Sequence, residues 1–448
     1  MSGPIPPTPL EPWIAVKIGE EGRPLSLHSL RAYQLTKLNE TLSRAQQRSA
    51  FYRRLLGERE IRLSTLEDLA DLPFTTAADI SAAPLDFVCV KQDQVERIVT
   101  LPTSGTTGPP KRIFYTAEDQ DLTRDFFHHG MSTLVGPRDR VLILLPGSLP
   151  GSVGELLKDG LERLGAEALP HGPVTDPRRT LDLIHRERVN AMVGVPVQVL
   201  TLARLGRAEG LPRPAGLRSV LLSTDRVPYA VARAIEDIWG CDVYNHYGTT
   251  EMGLGGGVDC RARSGYHIRE ADLLFEVVDP VTGRPAAEGE QGEVVFTTLT
   301  RQAMPLIRYR TGDVSRFLPE PCRCGTVLKR MAHVDGRLTG GISLPGGATL
   351  SQRDFDEALF PLDELADFKI VYREGPGRPT LIVQVLPCSD RSRVDKKAVL
   401  ESLRSIPAFS GRRAQGTPAV KVMEWKAGDD DRPSTAKRHI AHFREAVG

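Results

Sequence analysis

The sequence lacks features that would direct the chain out of the cytoplasm. No stretch of its 448 residues approaches the ~20 apolar residues of a membrane-spanning helix. The first residues, Met-Ser-Gly-Pro-Ile-Pro-Pro, do not place a basic segment before an apolar one, as a secretion signal would. Six cysteines are too few for a disulfide framework in a chain of this length. We therefore expect a cytoplasmic protein in a reducing compartment, without a membrane partner.

An excess of charge of either sign is also absent. Lys and Arg together number 58, Asp and Glu number 57, and the net charge is +1. No long block of like charges interrupts the sequence. Nucleic acid is therefore not expected as a partner.

Short apolar strands alternate with helical patterns through the middle of the chain. The pattern predicts strands over 141–145, 191–194, 219–222 and 242–245, and helices over 153–164, 197–205 and 227–239. Such alternation is typical of parallel β-α units with helices on both faces of the sheet. The predicted fold class is therefore α/β, with parallel sheets flanked by helices.

The pattern changes on both sides of this region. Residues 1–25 are rich in Pro and predict an irregular lead-in. Beyond residue 260, strands joined by Pro and Gly turns predict a small β-rich part that extends to 335. We expect a large N-terminal domain over 1–335, which binds the ligands, and a small, mobile α+β lid domain over 336–448.

The stretch Thr103-Ser-Gly-Thr-Thr-Gly-Pro-Pro-Lys111 concentrates hydroxyls, glycines and a lysine between strands predicted at 95–101 and 112–115. Glycines let backbone N–H groups approach an anion, and the hydroxyls and the ammonium group add donors. The Walker spacing does not fit, because Gly105 and Gly108 are only three positions apart. We interpret the stretch as a phosphate clamp, with an ordinary turn as the alternative.

Two more polar patches indicate a nucleotide site. Tyr247 follows a predicted strand and offers a face on which a base can stack. Thr249 and Thr250 add donors to the same loop. Glu251 offers a hard oxygen ligand for Mg²⁺. Further along, the carboxylate of Asp313 suits the hydroxyls of a ribose, although polar turns that cap strands would also explain both patches.

The cysteines suggest a separate metal site in the β-rich region. The pair in Cys322-Arg-Cys324 lies just before Gly325 and forms a tight knuckle that could present two thiolates. Cys260 and His267 could complete a closed Cys₃His zinc site, which would be structural. Three reduced thiols and an unrelated histidine are the alternative.

Three motifs, in this order, resemble the adenylate-forming superfamily of acyl-CoA synthetases. They are Ser104-Gly-Thr-Thr-Gly-Pro-Pro-Lys111, Tyr247-Gly-Thr-Thr-Glu251 and Arg308-Tyr-Arg-Thr-Gly-Asp313. The sequence around these motifs, notably over 289–300 and 305–310, is similar to the phenylacetate–CoA ligase branch, which includes coenzyme F390 synthetases. The resemblance covers roughly 30–337. It implies that a carboxylate attacks the α-phosphorus of ATP, which gives an acyl-adenylate, and that the thiol of CoA then displaces AMP.

The resemblance also implies which residues bind the substrates. The residues implied to bind the β- and γ-phosphates are Ser104, Gly105, Thr106, Thr107, Gly108 and Lys111. The residues implied to bind the adenine, ribose and α-phosphate are Ser223, Thr224, Asp225, Tyr247, Gly248, Thr249, Thr250, Asp313 and Arg337. Glu251 is implied to bind Mg²⁺. The expected ligands are thus ATP, Mg²⁺, CoA and a small carboxylic acid, with a structural Zn²⁺, and the chain could form a homodimer.

The C-terminal motif departs from this family. Its members place an adenylation lysine before Ala-Lys-Arg, but Thr435 stands at that position here. Lys437 could act as the catalytic lysine, or it could be a solvated helix lysine.

Three functions therefore stay open. The first is an acyl-CoA ligase with an altered C-terminal domain. The second is an adenylating enzyme with another acceptor, such as a carrier protein or a deazaflavin. The third is an ATP-binding protein that no longer catalyses. We favour the first, because a chain without catalysis has no need of three complete ATP motifs.

Overall fold

The computed structural model describes residues 4–101, 110–344, 347–375, 378–410, 418–425 and 438–444. By its internal contacts the chain forms two compact units. The first unit comprises 1–137, 147–166 and 244–334, and the second comprises 138–146, 167–243 and 335–448. The C-terminal segment 335–448 thus belongs to the same unit as strands from the middle of the chain. The expected division at 335/336 into two domains stays a prediction.

The first unit contains six α-helices, counted over the described residues. They span Leu10–Lys17, Leu27–Arg48, Ala50–Leu56, Ala77–Ala82, Ala117–Met131 and Val153–Arg163. A capping box begins the fifth helix, because Thr116 and Asp119 exchange side-chain and backbone hydrogen bonds of 3.1 Å. The buried Asp119 carboxylate also accepts the N–H groups of Gln302 (2.7 Å) and Ala303 (2.9 Å). One acidic side chain therefore both starts this helix and fixes a distant loop.

The strands of the first unit are mostly antiparallel. They span Arg97–Leu101, Lys111–Tyr115, Gly257–Asp259, Tyr266–Ile268, Leu273–Val278, Gly292–Thr298, Tyr309–Ser315 and Arg330–Met331. The first two form a hairpin in which Leu101 pairs with Lys111, so the predicted strand connection around the clamp is confirmed. The strands Leu273–Val278, Gly292–Thr298 and Tyr309–Ser315 pair in sequence order, which confirms the predicted β-rich part.

The prediction of an irregular lead-in over 1–25 is wrong. Leu10–Lys17 is a helix whose Leu10, Trp13 and Ile14 are buried. These residues lie three and four positions apart, the spacing of one helix face. The side chain of Lys17 lies over the Trp13 ring, 4.8 Å from its centre, and pairs with Asp272 at 2.6 Å. The prolines before the helix, and Pro12 in its first turn, concealed this short apolar pattern.

The second unit is built around parallel strands. Glu167–Pro170, Arg140–Ile143, Ala191–Gly194 and Ser219–Leu222 lie side by side in that order, each parallel to its neighbour. The helices Pro177–Arg186 and Pro196–Ala208 lie between these strands in the sequence, and Tyr229–Trp239 follows the last of them. The strand Asp242–Tyr247 crosses the boundary between the two units. The predicted β-α alternation and the α/β fold class are confirmed.

The C-terminal segment of the second unit adds a mixed sheet. Its strands lie in the order Ala419–Glu424, Thr380–Pro387, Leu365–Glu374 and Ala441–Arg444. The two middle strands are antiparallel, and each outer strand runs parallel to its neighbour. Further elements are the helices Gln352–Leu359, Lys396–Leu403 and Pro407–Ser410 and the short strands Gly336–Arg337, Ile342–Ser343 and Thr349–Leu350. Among the described helices, none has both the length and the apolarity to cross a membrane.

A buried arginine joins the two parts of the second unit. The guanidinium of Arg204, on the helix Pro196–Ala208, donates hydrogen bonds to the carbonyl oxygens of Leu365 and Phe360. Arg204 is 1% exposed. Because the carbonyl groups are buried with it, they depend on this side chain for their hydrogen bonds.

Replacing Arg204 should therefore destabilise the second unit. Arg204→Met leaves two buried carbonyl oxygens without a donor, at ~1–3 kcal/mol each, so the urea midpoint of unfolding should fall clearly. The matched control is Arg207→Met on the same helix, where an exposed ion pair with Asp363 is lost and the change should stay within about 0.5 kcal/mol. Equal shifts in the two variants would contradict this role.

Candidate active site

A buried ion pair lies at the centre of the candidate site in the first unit. Lys111 begins the second strand of the hairpin, and its ammonium group donates to a carboxylate oxygen of Glu251. The hydroxyl of Tyr309 donates to the same oxygen at 3.1 Å. Only 16% of the Lys111 side chain and 6% of the Glu251 side chain are exposed. Burial by itself would raise the pKa of Glu251, but the charge and hydrogen bond of Lys111 outweigh it and hold the pKa below its ordinary value.

The backbone around Glu251 is fixed by donors from other elements. The hydroxyl of Tyr115 donates to the carbonyl oxygen of Thr250. The guanidinium of Arg301 donates to the carbonyl oxygen of Glu251 at 2.5 Å. Gly248 has no room for a side chain, because a Cβ there would lie 2.4 Å from the carbonyl oxygen of Leu254. The loop is therefore held in one conformation.

A second contact joins two of the predicted nucleotide residues. The hydroxyl of Tyr247 donates to a carboxylate oxygen of Asp313 at 3.0 Å. The Tyr247 ring also stacks on Tyr266, with ring centres 5.7 Å apart. Burial first, and then the charge of Asp313, raise the pKa of Tyr247 well above its ordinary value, so the phenol keeps its proton and remains a donor.

The turn before Asp313 explains the order of its residues. The hydroxyl of Thr311 accepts the N–H of Asp313 at 3.0 Å and donates to the carbonyl oxygen of Val294 at 2.7 Å. Gly312 has φ +74°, a conformation that glycine adopts without strain. Its N–H donates to Glu293 at 2.9 Å. The Thr-Gly-Asp sequence is therefore set by the backbone of this turn as well as by its carboxylate.

Lys111, Glu251 and Tyr309 thus form one contact group, and Tyr247 and Asp313 form a second. The two groups make up the candidate cluster. Tyr309 and Asp313 belong to one strand, while Tyr247 and Glu251 lie at opposite ends of one loop. The cluster offers an ammonium group, two carboxylates and an aromatic ring, which are the groups that a nucleotide with a metal ion requires.

The other predicted site residues are placed elsewhere or lie outside the description. Ser104 to Gly108 and Lys437 lie outside the described residues. Ser223, Thr224, Asp225 and Arg337 belong to the second unit. The first three form a turn after the strand Ser219–Leu222, and the side chain of Arg337 is exposed. Their roles toward ATP stay predictions.

Comparison with known proteins identifies the chain. Residues 39–300 match the family model described as AMP-binding enzyme. The chain is 33% identical to the phenylacetate–coenzyme A ligase of Thermus thermophilus over 365 residues, which cover 78% of this chain and 80% of the relative. It is 32% identical to the ligase of the same name from Aromatoleum evansii, over 80% of this chain and 82% of the relative.

The chain belongs to the AMP-binding enzyme family. The predicted resemblance to the phenylacetate–CoA ligase branch is confirmed, and so is the predicted enzyme class, an AMP-forming acid–thiol ligase. A solved structure of 2-hydroxyisobutyryl-CoA ligase in the postadenylation state shares the fold, with a TM-score of 0.79 and 22% identity over 94% of this chain and 90% of that one. An anthranilate CoA ligase has a TM-score of 0.55 at 17% identity, over 82% and 68% of the two chains.

Sequence reasoning missed three residues of this AMP-binding enzyme's site. Tyr115, Tyr309 and Arg301 hold the Glu251 loop, but none had been assigned a role. Tyr309 stood inside a recognised motif, and its place on the buried face of a strand was the available signal. Nothing in the local sequence indicates that Tyr115 and Arg301 reach the same loop, since only the fold brings them there.

The cysteine cluster forms a second possible site in the first unit. The ligand atoms of Cys260, His267, Cys322 and Cys324 lie within 4.8 Å of one another, and all four residues are buried. The Sγ atoms of Cys260 and Cys322 are 3.6 Å apart, and Cys324 Sγ lies 3.5 Å from His267 Nε2. Tetrahedral Zn–S bonds of ≈ 2.3 Å place two sulfurs about 3.8 Å apart. The spacing of the four groups therefore fits one zinc ion.

The backbone around the cluster resembles metal-binding knuckles. The N–H of Ala262 donates to Cys260 Sγ at 3.4 Å. The N–H of Gly325 donates to the Cys322 carbonyl at 2.9 Å, and Gly325 adopts φ +78°. A hydrogen bond from Cys260 first, and then one from His267, lower the pKa of Cys324. This shift favours a thiolate at Cys324, while the same contact and burial raise the pKa of Cys260. Cysteine binds zinc as the thiolate.

Removing the charge of Lys111 should reverse the pH dependence of the stability that Glu251 contributes. In the native chain the pKa of Glu251 lies below its ordinary value of 4.5, so its contribution to stability is present above pH 4.5 and is lost as the pH falls through the lowered pKa. In Lys111→Met, the two largest causes that lower this pKa are lost, and burial then outweighs the remaining hydrogen bonds from the backbone and Thr249 and raises it. Stability should then fall as the pH rises from about 5 to about 7, because the buried carboxyl must lose its proton.

The measurement is the urea midpoint of unfolding at both pH values. Lys397→Met is the matched control, because that side chain is 83% exposed. A pH profile of Lys111→Met parallel to that of the native chain would show that the pair does not govern the protonation of Glu251.

Proposed function

We propose that this AMP-forming ligase activates a small aromatic acid, phenylacetate or a close relative, with MgATP and transfers it to CoA. The observation that carries the nucleotide part is the pair of contact groups in the first unit, Lys111 with Glu251 and Tyr247 with Asp313. The names of the similar ligases support the acid.

The Lys111–Glu251 pair prepares the site for MgATP. Without a ligand, each charge balances the other in a buried place. With MgATP bound, Lys111 and the clamp Ser104–Lys111 would hold the phosphates, and Glu251 would hold Mg²⁺. Glu251 suits this ion, because its low pKa keeps it a carboxylate. Such fixed charges stabilise the charge that develops on the phosphates in the transition state.

The remaining roles divide the nucleotide among four elements. Asp313, oriented by the phenol of Tyr247, accepts the ribose hydroxyls. Tyr247 offers its ring to the adenine. The turn Ser223–Asp225 lies along the edge of the adenine, and Arg337 approaches the ribose and the phosphates. Thr250 reaches the α-phosphate.

Buried aromatic packing around His246 supports an aromatic acid. The His246 ring lies near Phe126 and Phe127, with ring centres 5.9 and 6.1 Å away. Burial lowers the pKa of His246 to about 4, so the imidazole is neutral at physiological pH. A Cβ on Gly255 would lie 2.3 Å from the Phe126 ring. Neutral rings packed in this way suit the aryl group of an acid better than a charged side group.

ATP–pyrophosphate exchange tests the function. We expect exchange with phenylacetate that does not require CoA, and thioester formation when CoA is added. Short aliphatic acids should exchange at least about tenfold more slowly, since losing an aryl group from an apolar pocket costs more than 1.4 kcal/mol. Exchange without a thioester would indicate another acceptor. ATP binding without exchange for any acid would contradict an enzyme.

Lys437 is our proposed catalytic lysine, and the same assay tests it. Lys437→Ala should lower exchange on the order of a hundredfold and leave ATP binding intact, because a cation that balances charge in the transition state is lost. Lys397→Ala, which removes an exposed lysine, should leave exchange unchanged. A full rate in Lys437→Ala would remove this lysine from the mechanism.

We further propose a structural zinc ion at the Cys260, His267, Cys322 and Cys324 cluster. Protein purified without a His-tag should contain one zinc per chain. Cys324→Ser should lose this zinc and lower the thermal midpoint of unfolding, because a closed site contributes folding energy. Cys388→Ser is the control, because Cys388 is also a buried free cysteine but lies outside the cluster. A native chain without zinc, or a Cys324→Ser variant that retains it, would contradict the site.

The compartment and the oligomeric state complete the proposal. All six cysteines are free thiols in the structure, which supports the cytoplasm as the place of action. A homodimer stays a prediction from the sequence.

A further inference from the structure

The turn Ser223–Asp225 contains a strained residue. Thr224 adopts φ +74°, and β-branched side chains rarely take this left-handed conformation. Its hydroxyl oxygen is buried and finds no hydrogen-bond partner among the residues that the structure describes. Strain of this kind persists only where the surroundings hold the residue in place, and it occurs most often at sites that bind ligands.

The carboxylate of Asp225 holds this turn from one side. One oxygen accepts the N–H of Arg226 at 2.8 Å, and the other accepts the N–H of Arg438 at 3.1 Å. The second bond reaches a residue that is 213 positions away in sequence. The turn is therefore tied to the C-terminal segment of the same unit.

Arg438 is itself anchored by its side chain. The guanidinium pairs with Asp356 and, at 3.2 Å, with Asp367. It lies over the rings of Phe360 and Phe368, with centres 4.8 and 4.3 Å away. Two carboxylates and two aromatic faces fix a planar guanidinium better than they would fix an ammonium group. The backbone N–H that reaches Asp225 thus has a defined position.

We propose that Arg438 is a positioning residue for nucleotide binding, which holds the Thr224 turn in its strained conformation through Asp225 and so presents the Thr224 hydroxyl to the adenine edge. This inference rests on the proposed role of Ser223–Asp225. It gives the arginine of the C-terminal Ala-Lys-Arg a function that is separate from that of Lys437.

Arg226 provides a matched comparison. Its guanidinium lies 3.4 Å from the Asp356 carboxylate and 2.7 Å from Glu357, so it belongs to the same charge cluster. Its side chain, however, does not contact Asp225 in the described structure. If Arg438 only balanced the charge of Asp356, then loss of either guanidinium should have the same effect.

The test compares Arg438→Gln, Arg438→Lys and Arg226→Gln in ATP–pyrophosphate exchange with phenylacetate. We expect Arg438→Gln to raise the KM for ATP about tenfold and to lower the preference for ATP over GTP, with little change in kcat or in the KM for the acid. Arg438→Lys should restore part of the effect. Arg226→Gln should lower the thermal midpoint of unfolding but leave the KM for ATP unchanged.

A double-mutant cycle shows whether Arg438 acts through Asp225. Adding Arg438→Gln to Asp225→Ala should raise the KM for ATP no further than Asp225→Ala alone. Additive effects would overturn the proposal, as would a fall in kcat with an unchanged KM, which would place Arg438 in the Lys437 step instead. If Arg438→Gln does not fold, then Arg438→Lys in the same cycle decides between these outcomes.

The proposal and the function fail in different ways. No exchange by the native chain with any acid would contradict the proposed function. Native exchange, combined with an Arg438→Gln variant that has an unchanged KM for ATP and an unchanged preference over GTP, would leave the function in place and refute the positioning role.

Discussion

The candidate site of this AMP-binding enzyme depends on a buried pair of opposite charges. Lys111 and Glu251 are removed from water together, and neither charge would be tolerated there alone. Each also needs hydrogen bonds to hold its orientation. Tyr309 supplies one to the carboxylate, while Tyr115 and Arg301 fix the backbone that carries it. The antiparallel hairpin and the Tyr309–Ser315 strand bring these groups to one place, so the fold of the first unit and its candidate chemistry share the same constraint.

A comparable arrangement occurs in the second unit. There the half-buried Arg438 is held among Asp356, Asp367 and two phenylalanine rings, and its backbone N–H donates to the carboxylate of Asp225. Arg204, which lies on a helix, similarly donates to two buried carbonyl groups. In both units, long cationic side chains join segments that are far apart in sequence. Because leaving a buried carboxylate or carbonyl unpaired is costly, such contacts fix the geometry of the turns next to them.

The local pattern predicted most of the regular structure. Ala191–Gly194 and Ser219–Leu222 are strands over the predicted residues, because short β-branched and aliphatic runs between turn residues leave few alternatives. The lead-in helix Leu10–Lys17 was missed, since eight residues with prolines nearby carry only a weak periodic signal. This helix gains its stability from burying Trp13 and Ile14 and from the ion pair to Asp272, and these contacts do not appear in the local sequence.

The sequence by itself determined the family, the order of the three nucleotide motifs and the α/β alternation, because these depend on residue type and spacing along the chain. Only the tertiary structure decided that Lys111 pairs with Glu251 and that Tyr247 donates to Asp313. It also brought Tyr115, Tyr309 and Arg301 to the Glu251 loop, and Arg438 to Asp225. The physical reason is that a hydrogen bond or ion pair depends on distances of about 3 Å in space. Residues that are tens or hundreds of positions apart reach such distances only after the strands have paired and the cores have packed.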